Sequence, residues 1–272
     1  MKPIIRWAGS KRQILSSLRS YYPDERPRYI EPFCGSAALF FKIEPDAAIL
    51  GDLNTELIRA LRAIQVNPGV VLECLRRLPT GKRAYYRVRD VAPSSLSDNQ
   101  LAARFLYLNH YCFNGLFRTN MQGRFNVPYG PPKSGCPINE PVVIEGSKLL
   151  EHATLLDGDF EDTLAHARAG DFVYLDPPYV VRKRRVFSEY LPDSFSHGDL
   201  ARLTGGLDKL NAIGASFVVS YADSPEARTL LARWPHRRIA VRRHIAGFAG
   251  ARRMNYELIA TNLDVEVPDH AG

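Results

Sequence analysis

Apolar runs alternate with helix-length segments at both ends of the chain. Residues 29–33 have the character of a short buried strand, and residues 47–50 begin a second strand that leads to Asp52, with a helix-like segment from residue 36 to 43 between them. Four further runs of strand character follow residue 150, at 153–156, 172–175, 216–220 and 257–260. Because strands alternate with helix-length segments, the pattern predicts an α/β fold with a doubly wound, mostly parallel sheet.

The middle of the chain, from about residue 58 to residue 147, differs in composition. It is rich in Arg, Tyr, Asn, Gly and Pro, and it contains one helix-like run at 101–113. Two extended pieces around residues 121–123, followed by a proline-rich stretch, predict a β-hairpin and then an irregular loop. We therefore predict a main domain built from residues 1–57 and 148–272, with residues 58–147 inserted as a mainly helical lobe.

Composition narrows the class of protein. Of 272 residues, 45% are hydrophobic and 24% are charged, which is enough apolar material for a buried core. The net charge of +7 suits a polyanionic partner. There is no apolar run of membrane-spanning length and no secretory leader, so we expect a cytoplasmic protein without a membrane partner. The four scattered cysteines and the absence of paired His or Cys spacing predict reduced thiols and no metal.

The motif Asp176-Pro177-Pro178-Tyr179 follows the apolar run 172–175, which predicts it at the carboxyl end of a strand, where open α/β sheets bind ligands. The Asp176 carboxylate and the Pro177 carbonyl can accept two hydrogen bonds from an amine, and Tyr179 offers a flat face to a base rotated out of a duplex. Such acceptors would stabilise the weakly nucleophilic amine of adenine as its nitrogen becomes tetrahedral during methylation. The alternative is a proline-rich turn without chemistry.

A second motif, EPFCGSA at residues 31–37, is predicted as a turn of small residues between a strand and a helix. Such turns allow the backbone to approach a cofactor closely. Asp52 follows the next predicted strand, a position from which a carboxylate can accept hydrogen bonds from ribose hydroxyls. The alternative is an ordinary strand–turn–helix unit in which Asp52 caps the helix that begins near Asn54.

Taken in order, these motifs resemble the Dam family of DNA adenine methyltransferases. Four segments look like parts of that family's cofactor site: residues 6–11 like its amino-terminal motif, 31–36 like its glycine-rich motif, 51–54 like its ribose-contacting segment, and 158–160 like a site beside the cofactor's adenine. Residues 107–130 look like its DNA-recognition lobe, and 174–179 like its catalytic motif. Residues 252–259 look like its closing strand. The resemblance covers nearly the whole chain. It implies a Rossmann-like methyltransferase domain at 1–57 and 148–272, with a DNA target-recognition domain at 58–147.

The resemblance also implies ligands and residue roles. The methyl donor would be S-adenosylmethionine, leaving S-adenosylhomocysteine, and the substrate would be a flipped-out adenine in double-stranded DNA. The catalytic residues would be Asp176, Pro177, Pro178 and Tyr179. The cofactor would contact Trp7, Gly9, Lys11, Glu31, Pro32, Phe33, Gly35, Ser36, Asp52, Asp159, Phe160 and Asp176. Without the resemblance, Trp7 is an ordinary packed aromatic residue and Lys11 an ordinary solvated charge.

Two positions depart from the family pattern. The family usually has glycine where this chain has Ser10, and often where it has Ala37. If either position requires a positive φ, its side chain adds backbone strain. We still expect cofactor binding, because both side chains are small.

Three basic or polar segments are candidates for DNA contact. In the predicted hairpin, every second residue from 118 to 124 is polar: Arg118, Asn120, Gln122 and Arg124. In an extended stretch these side chains would lie on one face, where they could read bases in the major groove. Arg182, Lys183, Arg184 and Arg185 directly follow the catalytic motif and would contact phosphates beside the extruded nucleotide. For both, the alternative is a solvent-exposed charged face. For a third, arginine-rich segment between Glu226 and Glu257, two interpretations stay open: its arginines contact phosphates, or it contains a strand whose arginines partly pair with local carboxylates.

Two other functions share these motifs. One is an RNA adenine methyltransferase, and the other is a catalytically silent DNA-binding protein on the same fold, which Ser10 and Ala37 make conceivable. The intact residues 174–179 and the block 118–130 favour a DNA adenine methyltransferase that acts as a monomer, with a cognate restriction endonuclease as a possible partner.

Overall fold

A computed structural model of the protein describes residues 1–7, 9, 11–130, 138–179, 195–242 and 254–264. Its centre is one seven-stranded sheet. The strands are β1 (Tyr29–Glu31), β2 (Ala48–Asp52), β3 (Ala153–Asp157), β4 (Phe172–Leu175), β5 (Ser216–Ala222), β6 (His236–Arg242) and β7 (Met254–Thr261). The observed sheet confirms the predicted doubly wound α/β class.

The strands lie in the order β3-β2-β1-β4-β5-β7-β6. The first five are parallel, with Ile30 of β1 aligned with Ile49 of β2 on one side and Val173 of β4 on the other. Strand β7 is antiparallel to both β5 and β6. Because the chain winds outward in opposite directions from β1 and β4, the strand order reverses between these two strands. That reversal is the point at which a doubly wound sheet opens a crevice for ligands.

Helices cover both faces of the sheet. The first face carries α1 (Leu15–Arg19), α2 (Ala38–Ile43), α3 (Thr55–Val66), α4 (Pro68–Arg76), α5 (Lys82–Asp90), α6 (Asp98–Tyr111) and α7 (Glu140–Leu150), whose apolar side chains form one continuous cluster with those of the strands. The second face carries α8 (Phe160–Leu164), α9 (His197–Ala212) and α10 (Pro225–Leu231), with a second cluster. The central strands are buried on both faces, which explains why they read as unbroken apolar runs.

The middle segment is mainly helical, with α6 at its centre. Nine of the fourteen residues of α6 are buried, and Ser97 and Gln100 begin the helix with a reciprocal capping box. Helix α3 starts at Thr55, continues to residue 66 and packs on the sheet, where Gln65 donates hydrogen bonds to the carbonyls of Leu150 and Ala153. The apolar core of the middle segment therefore continues into that of the sheet.

Residues 112–130 form an irregular hairpin. Thr119 pairs with Phe125 and Cys112 with Tyr129 as isolated antiparallel bridges. The chain reverses at residues 121–123, and the following residues 131–137 lie outside the described residues. The predicted hairpin is therefore present, although its two arms are too irregular to count as strands.

The arginine-rich segment contains a strand, β6, as predicted, and this strand lies at the edge of the sheet. Arg238 pairs with Asp223 at 2.7 Å, and Arg228 pairs with the same carboxylate at 2.7 Å. The sequence did not give the bounds of this strand, because charged and half-exposed positions dominate it. Charged side chains are common on edge strands, where they discourage pairing with another sheet.

Candidate active site

The two strongest motifs meet at the reversal point of the sheet. The turn 31–37 follows β1 and the motif 176–179 follows β4, and these strands are neighbours. Asp52 ends β2, and Asp159 follows β3, so further polar groups continue along the same carboxyl edge. The fold therefore gathers side chains from four successive parallel strands around one crevice.

Asp176 is paired with a lysine from the start of the chain. The Nζ atom of Lys11 lies 2.7 Å from Oδ1 of Asp176 and 2.6 Å from the hydroxyl oxygen of Tyr179. The same ammonium lies 3.5 Å from Oε2 of Glu257 on β7. Lys11 is thus buried and paired, and the interpretation of it as a solvated surface charge is wrong. An amine that uses Oδ1 of Asp176 must share or replace the hydrogen bond from Lys11.

Burial and pairing act in opposite directions on the protonation of this cluster. Burial raises the pKa of Asp176, and the ammonium of Lys11 opposes that rise. For Lys11, burial alone would lower the pKa, but the surrounding oxygens of Asp176, Tyr179 and Glu257 outweigh burial and raise it. Lys11 therefore stays protonated and cannot accept a proton from a substrate.

Tyr179 is held by both its hydroxyl group and its ring. Its hydroxyl donates to the carboxylate of Glu257, with distances of 3.1 and 3.3 Å to the two oxygens. The ring meets Tyr221 edge-on at 5.1 Å between centroids, and the ammonium of Lys11 lies 4.9 Å from the ring centre. Burial raises the pKa of Tyr179 to about 12, so the hydroxyl remains a donor.

The two prolines of the motif lie in different environments. Pro177 is buried, whereas Pro178 is exposed. The carbonyl oxygen of Pro178 accepts a long hydrogen bond, 3.4 Å, from the hydroxyl of Tyr221. This contact links the motif to β5, the neighbouring strand.

Asp52 joins two turns at the edge of the sheet. Its Oδ2 accepts a hydrogen bond of 2.9 Å from the backbone N–H of Gly35, and its Oδ1 accepts one of the same length from Asn54. Asn54, rather than Asp52, caps α3, with its side chain accepting from Leu57. The alternative role of Asp52 as the helix cap is therefore wrong. Burial raises the pKa of Asp52, and the two backbone donors oppose that rise.

Asp159 and Phe160 lie at the start of α8. The side chain of Asp159 accepts from the backbone of Glu161 and pairs with Arg202 of α9. The Phe160 ring stacks on Phe33 at 5.2 Å, and the Arg202 guanidinium lies 4.8 Å from the centre of the Phe160 ring. These contacts bring together three of the side chains predicted for the cofactor: Phe33, Asp159 and Phe160.

Glu31 faces the protein interior. It is 3% exposed, accepts a hydrogen bond of 2.9 Å from Tyr29, and receives the backbone N–H of Phe40 at the start of α2. Burial raises the pKa of Glu31 well above its ordinary value. Pro32, Gly35 and Ser36 are likewise buried in the turn, so several residues predicted to line the pocket also shape the backbone around it.

Trp7 packs directly on the glycine-rich turn. A Cβ atom at Gly35, whose φ is +47°, would lie 2.6 Å from the Trp7 ring, so glycine is required there by both space and conformation. Trp7 also stacks on Phe117 of the middle segment at 5.6 Å. Gly9 has a positive φ and an exposed backbone. Ser10 lies outside the described residues, whereas Ala37 has the positive φ, +50°, that the usual glycine would favour.

The hairpin distributes its four polar residues over its two arms and its turn. Arg118, Gln122 and Arg124 are exposed, but the side chain of Asn120 accepts from the backbone N–H groups of Gln122 and Arg124. The chain reverses at residues 121–123, so the four residues do not form one extended stretch; Asn120 lies opposite Arg124 on the two arms, and Gln122 lies in the turn. Arg182, Lys183, Arg184 and Arg185 lie outside the described residues.

Sequence reasoning missed three residues that contact predicted site residues. Glu257 contacts Lys11 and Tyr179, the buried hydroxyl of Ser220 hydrogen-bonds to Asp176, and Arg202 contacts Asp159 and Phe160. One signal in the sequence could have identified Glu257, because it is the single carboxylate in the apolar run YELIA of β7. A lone charge on a buried strand generally requires a partner in the interior.

The described residues show neither a metal site nor a membrane-spanning helix. They contain no group of His, Cys, Asp or Glu side chains arranged to hold a metal ion. Within the same residues, no helix combines the length and apolar character needed to cross a bilayer.

The sheet defines a class of protein: a Rossmann-like α/β fold whose strand order reverses between β1 and β4, the place where such sheets generally bind ligands. Residues 7–245 match the family model for D12 class N6 adenine-specific DNA methyltransferases. The chain belongs to this family.

Named relatives agree with this assignment over most of the chain. The type II methyltransferase M1.LlaDCHI of Lactococcus lactis subsp. cremoris is 32% identical, over 96% of this chain and 95% of the relative. The Retron Ec67 DNA adenine methylase of Escherichia coli is 32% identical, over 96% and 92%. The DNA adenine methylase of Salmonella typhi is 28% identical, over 95% and 94%.

Membership of the family establishes the activity. The protein is an adenine-specific DNA methyltransferase, its substrate is DNA and its methyl donor is S-adenosylmethionine. The two alternatives, methylation of RNA and a silent DNA-binding role, are not favoured.

Proposed function

We propose that the enzyme methylates N6 of an adenine extruded from duplex DNA, with the Asp176 carboxylate and the Pro177 carbonyl accepting the hydrogens of its amine. The contact between Lys11 and Asp176 is the main support for this proposal. The ammonium nitrogen of Lys11 lies 2.7 Å from Oδ1 of Asp176, so this oxygen already accepts a hydrogen bond from a nitrogen donor inside the crevice. Tyr179, beside that donor, offers its ring as the platform for the base.

We propose that the remaining residues of the edge hold the methyl donor. S-adenosylmethionine, when bound, supplies an electrophilic methyl group on a sulfonium centre. Asp52 and Asp159 provide carboxylates for the polar groups of its nucleoside, and the stacked pair Phe33 and Phe160 provides an apolar wall. The turns on the other side of the crevice are formed by Trp7, Gly9, Lys11, Pro32, Gly35 and Ser36. Glu31 supports these turns from the protein interior. These groups fit an adenosyl ligand.

Asp176→Asn tests the catalytic assignment. The amide keeps the size of the side chain but removes the charge that stabilises the amine, so the single-turnover rate should fall about a hundredfold or more. Duplex affinity should change little, because the basic surfaces remain. Asp171→Asn is the matched control: this carboxylate is also buried and paired, with Arg28, but it lies at the opposite end of β4. Full turnover by Asp176→Asn would refute the assignment.

Tyr179→Ala and Tyr179→Phe test the stacking role. Alanine removes the platform, so 2-aminopurine at the target position should show less of the fluorescence increase that accompanies extrusion. Phenylalanine keeps the ring and should keep most of that signal. An unchanged signal in Tyr179→Ala would count against stacking.

We propose that Arg118, Asn120, Gln122 and Arg124 read bases and that Arg182, Lys183, Arg184 and Arg185 contact phosphates. Replacing the four residues 182–185 by glutamine should reduce the slope of log affinity against log salt by about one unit for each phosphate contact that is lost. Arg77→Gln, a change at the exposed arginine that directly follows α4, is the control. If both variants show the same salt slope, residues 182–185 do not contact the backbone.

The remaining proposals concern the setting of the enzyme. We propose that the protein acts as a cytoplasmic monomer, without a metal, and that an endonuclease accompanies it. The name of the Lactococcus lactis relative, a type II methyltransferase, supports the last point. Sedimentation with and without duplex DNA tests the monomer, and turnover in the presence of a chelator tests the metal. DNA methylated by this enzyme should resist the cognate endonuclease.

A further inference from the structure

One ammonium lies between two carboxylates in the crevice. Lys11 is 2.7 Å from Asp176 and 3.5 Å from Glu257, and the side chains of Lys11 and Glu257 are 7% and 3% exposed. Glu257 belongs to β7, where its partners across the sheet are Ala222 and Ile239. A carboxylate in these apolar surroundings is unfavourable unless a charge or donor compensates it, and Lys11 and Tyr179 are in contact with it.

Charge balance indicates what the second carboxylate contributes. During methyl transfer the nitrogen lone pair forms the N–C bond, the C–S bond breaks with its electron pair left on sulfur, and formal positive charge passes from sulfur to nitrogen. The nitrogen then loses a proton to water. A site that stabilises this change needs a net negative charge near the amine. Lys11 and Asp176 alone would cancel each other.

We propose that Glu257 is a positioning residue that neutralises Lys11, so that the negative charge of Asp176 remains available to the amine. The ammonium of Lys11 and the carboxylates of Asp176 and Glu257 then carry one net negative charge together, while Lys11 stays in the crevice. When the amine takes over Oδ1 of Asp176, Glu257 also keeps the buried ammonium compensated, which a site with one carboxylate could not do. This inference rests on the proposed role of Asp176.

The relative affinity for two ligands tests the charge argument without turnover. S-adenosylmethionine carries the sulfonium charge, whereas S-adenosylhomocysteine lacks it. Glu257→Gln keeps the size and an acceptor for Tyr179, but removes one negative charge. It should therefore weaken binding of the sulfonium ligand relative to the thioether by about tenfold, measured by calorimetry. A purely structural role of Glu257 would weaken both ligands equally and leave the ratio unchanged.

A double-mutant cycle tests the route through Lys11. At saturating donor, Glu257→Gln should lower the single-turnover rate by about tenfold or more in the wild-type background. In a Lys11→Met background the same change should cost less than about threefold, because no ammonium remains to cancel the charge of Asp176. Equal losses in both backgrounds would overturn the proposal. If Lys11→Met is too slow to measure, the affinity ratio decides.

Two controls separate this proposal from the function it rests on. Asp171→Asn removes a buried, paired carboxylate far from the crevice and should leave both the ratio and the rate unchanged. Full activity of Asp176→Asn would refute the proposed function itself. A different set of results would refute only the role of Glu257. In that set, Asp176→Asn is inactive, Glu257→Gln leaves the affinity ratio of the two ligands unchanged, and Glu257→Gln lowers the rate equally with and without Lys11. Thermal unfolding confirms that each variant is folded.

Discussion

At Ala37, we expect the departure from the usual family residue to be nearly neutral in energy. This residue caps α2 with φ 50° and ψ 40°, a left-handed conformation, and it is fully buried. That conformation costs a non-glycine residue about 1–2 kcal/mol. Glycine would relieve the strain, but it would lose the burial of a methyl group, about 0.8 kcal/mol. It would also increase the conformational entropy of the unfolded chain, which favours unfolding by about 0.4–1 kcal/mol. The opposing contributions nearly cancel.

We therefore expect Ala37→Gly to change the free energy of unfolding by less than about 1 kcal/mol. Ala37→Val should destabilise the protein by more than about 2 kcal/mol, because a branched side chain in a left-handed and fully buried position adds strain to overpacking. Urea unfolding of the three proteins measures both differences. A large stabilisation by glycine would mean that the strain at Ala37 is greater than its geometry suggests.

Glu31 makes stability depend on pH. Because burial raises its folded-state pKa, the folded protein keeps the Glu31 proton at pH values where the unfolded chain has lost it. Its contribution is most favourable below the unfolded pKa, about 4.3, and it declines as the pH rises toward the folded pKa. Glu31→Gln removes this decline.

The stability of Glu31→Gln relative to wild type should therefore rise between pH 5 and pH 8, by about 1 kcal/mol or more. Urea unfolding at several pH values gives this difference. Asp171→Asn is the comparison, since it removes the partner of Arg28 and should be less stable than wild type at both pH values. A pH-independent difference for Glu31→Gln would show that the Glu31 carboxyl is ionised in the folded protein.

At the scale of elements, Gly51 sets how closely α8 approaches the sheet. A Cβ atom at Gly51 would lie 2.0 Å from Oγ1 of Thr163 and 3.0 Å from its Cβ, so rotating the threonine side chain would not remove the clash. Thr163 belongs to the same short helix as Phe160 and follows the cap residue Asp159. Moving α8 outward would therefore displace two residues proposed to bind the donor.

Gly51→Ala should raise the Kd for S-adenosylhomocysteine by about tenfold, a change of roughly 1.4 kcal/mol, with little effect on duplex affinity. Gly205→Ala is the control, because that glycine lies in α9 with open space around it, and alanine there should stabilise the helix by about 0.5–1 kcal/mol. Unchanged ligand affinity in Gly51→Ala would show that the edge tolerates a shifted α8.

The elements show which parts of the fold could be predicted from sequence. Strands β4 and β5 can be predicted because buried central strands have continuous apolar runs, and the motif 176–179 lies at a strand end, as its position after such a run predicts. The edge strand β6 lacks such a run, so its bounds stayed hidden. Turn residues predict the reversal at residues 121–123, but they do not reveal that the Asn120 side chain accepts hydrogen bonds from the backbone of Gln122 and Arg124.

The candidate site was harder to predict than the fold because its contacts join distant parts of the chain. Lys11 and Glu257 come from opposite ends of the sequence and meet only because β7 inserts between β5 and β6. No local pattern reports such a pairing. The motif positions identified Asp176 and Tyr179, whereas Ser220 and Glu257 became visible only once the strand order was known.

At the scale of the whole molecule, an aromatic stack connects the proposed cofactor crevice with the middle segment. Trp7 lies against Gly35 and stacks on Phe117, and Phe117 stacks in turn on Phe105 of α6 at 5.5 Å. Arg6 reinforces the link by donating hydrogen bonds to the backbone carbonyls at the end of α6. The turn that approaches the donor and the hairpin proposed to read DNA thus share one packed support.

Such a support should couple the two ligands. We expect S-adenosylhomocysteine to tighten duplex binding and duplex DNA to tighten S-adenosylhomocysteine binding by the same factor, since coupling is reciprocal. Phe117→Leu should reduce that factor by about threefold or more. Tyr86→Leu is the control, because Tyr86 is in the same segment but contacts Tyr85 and Arg89. Fluorescence titrations of each ligand with and without the other give both factors. Equal reductions in the two variants would mean that the coupling follows the general stability of the middle segment and does not depend on the Trp7 stack.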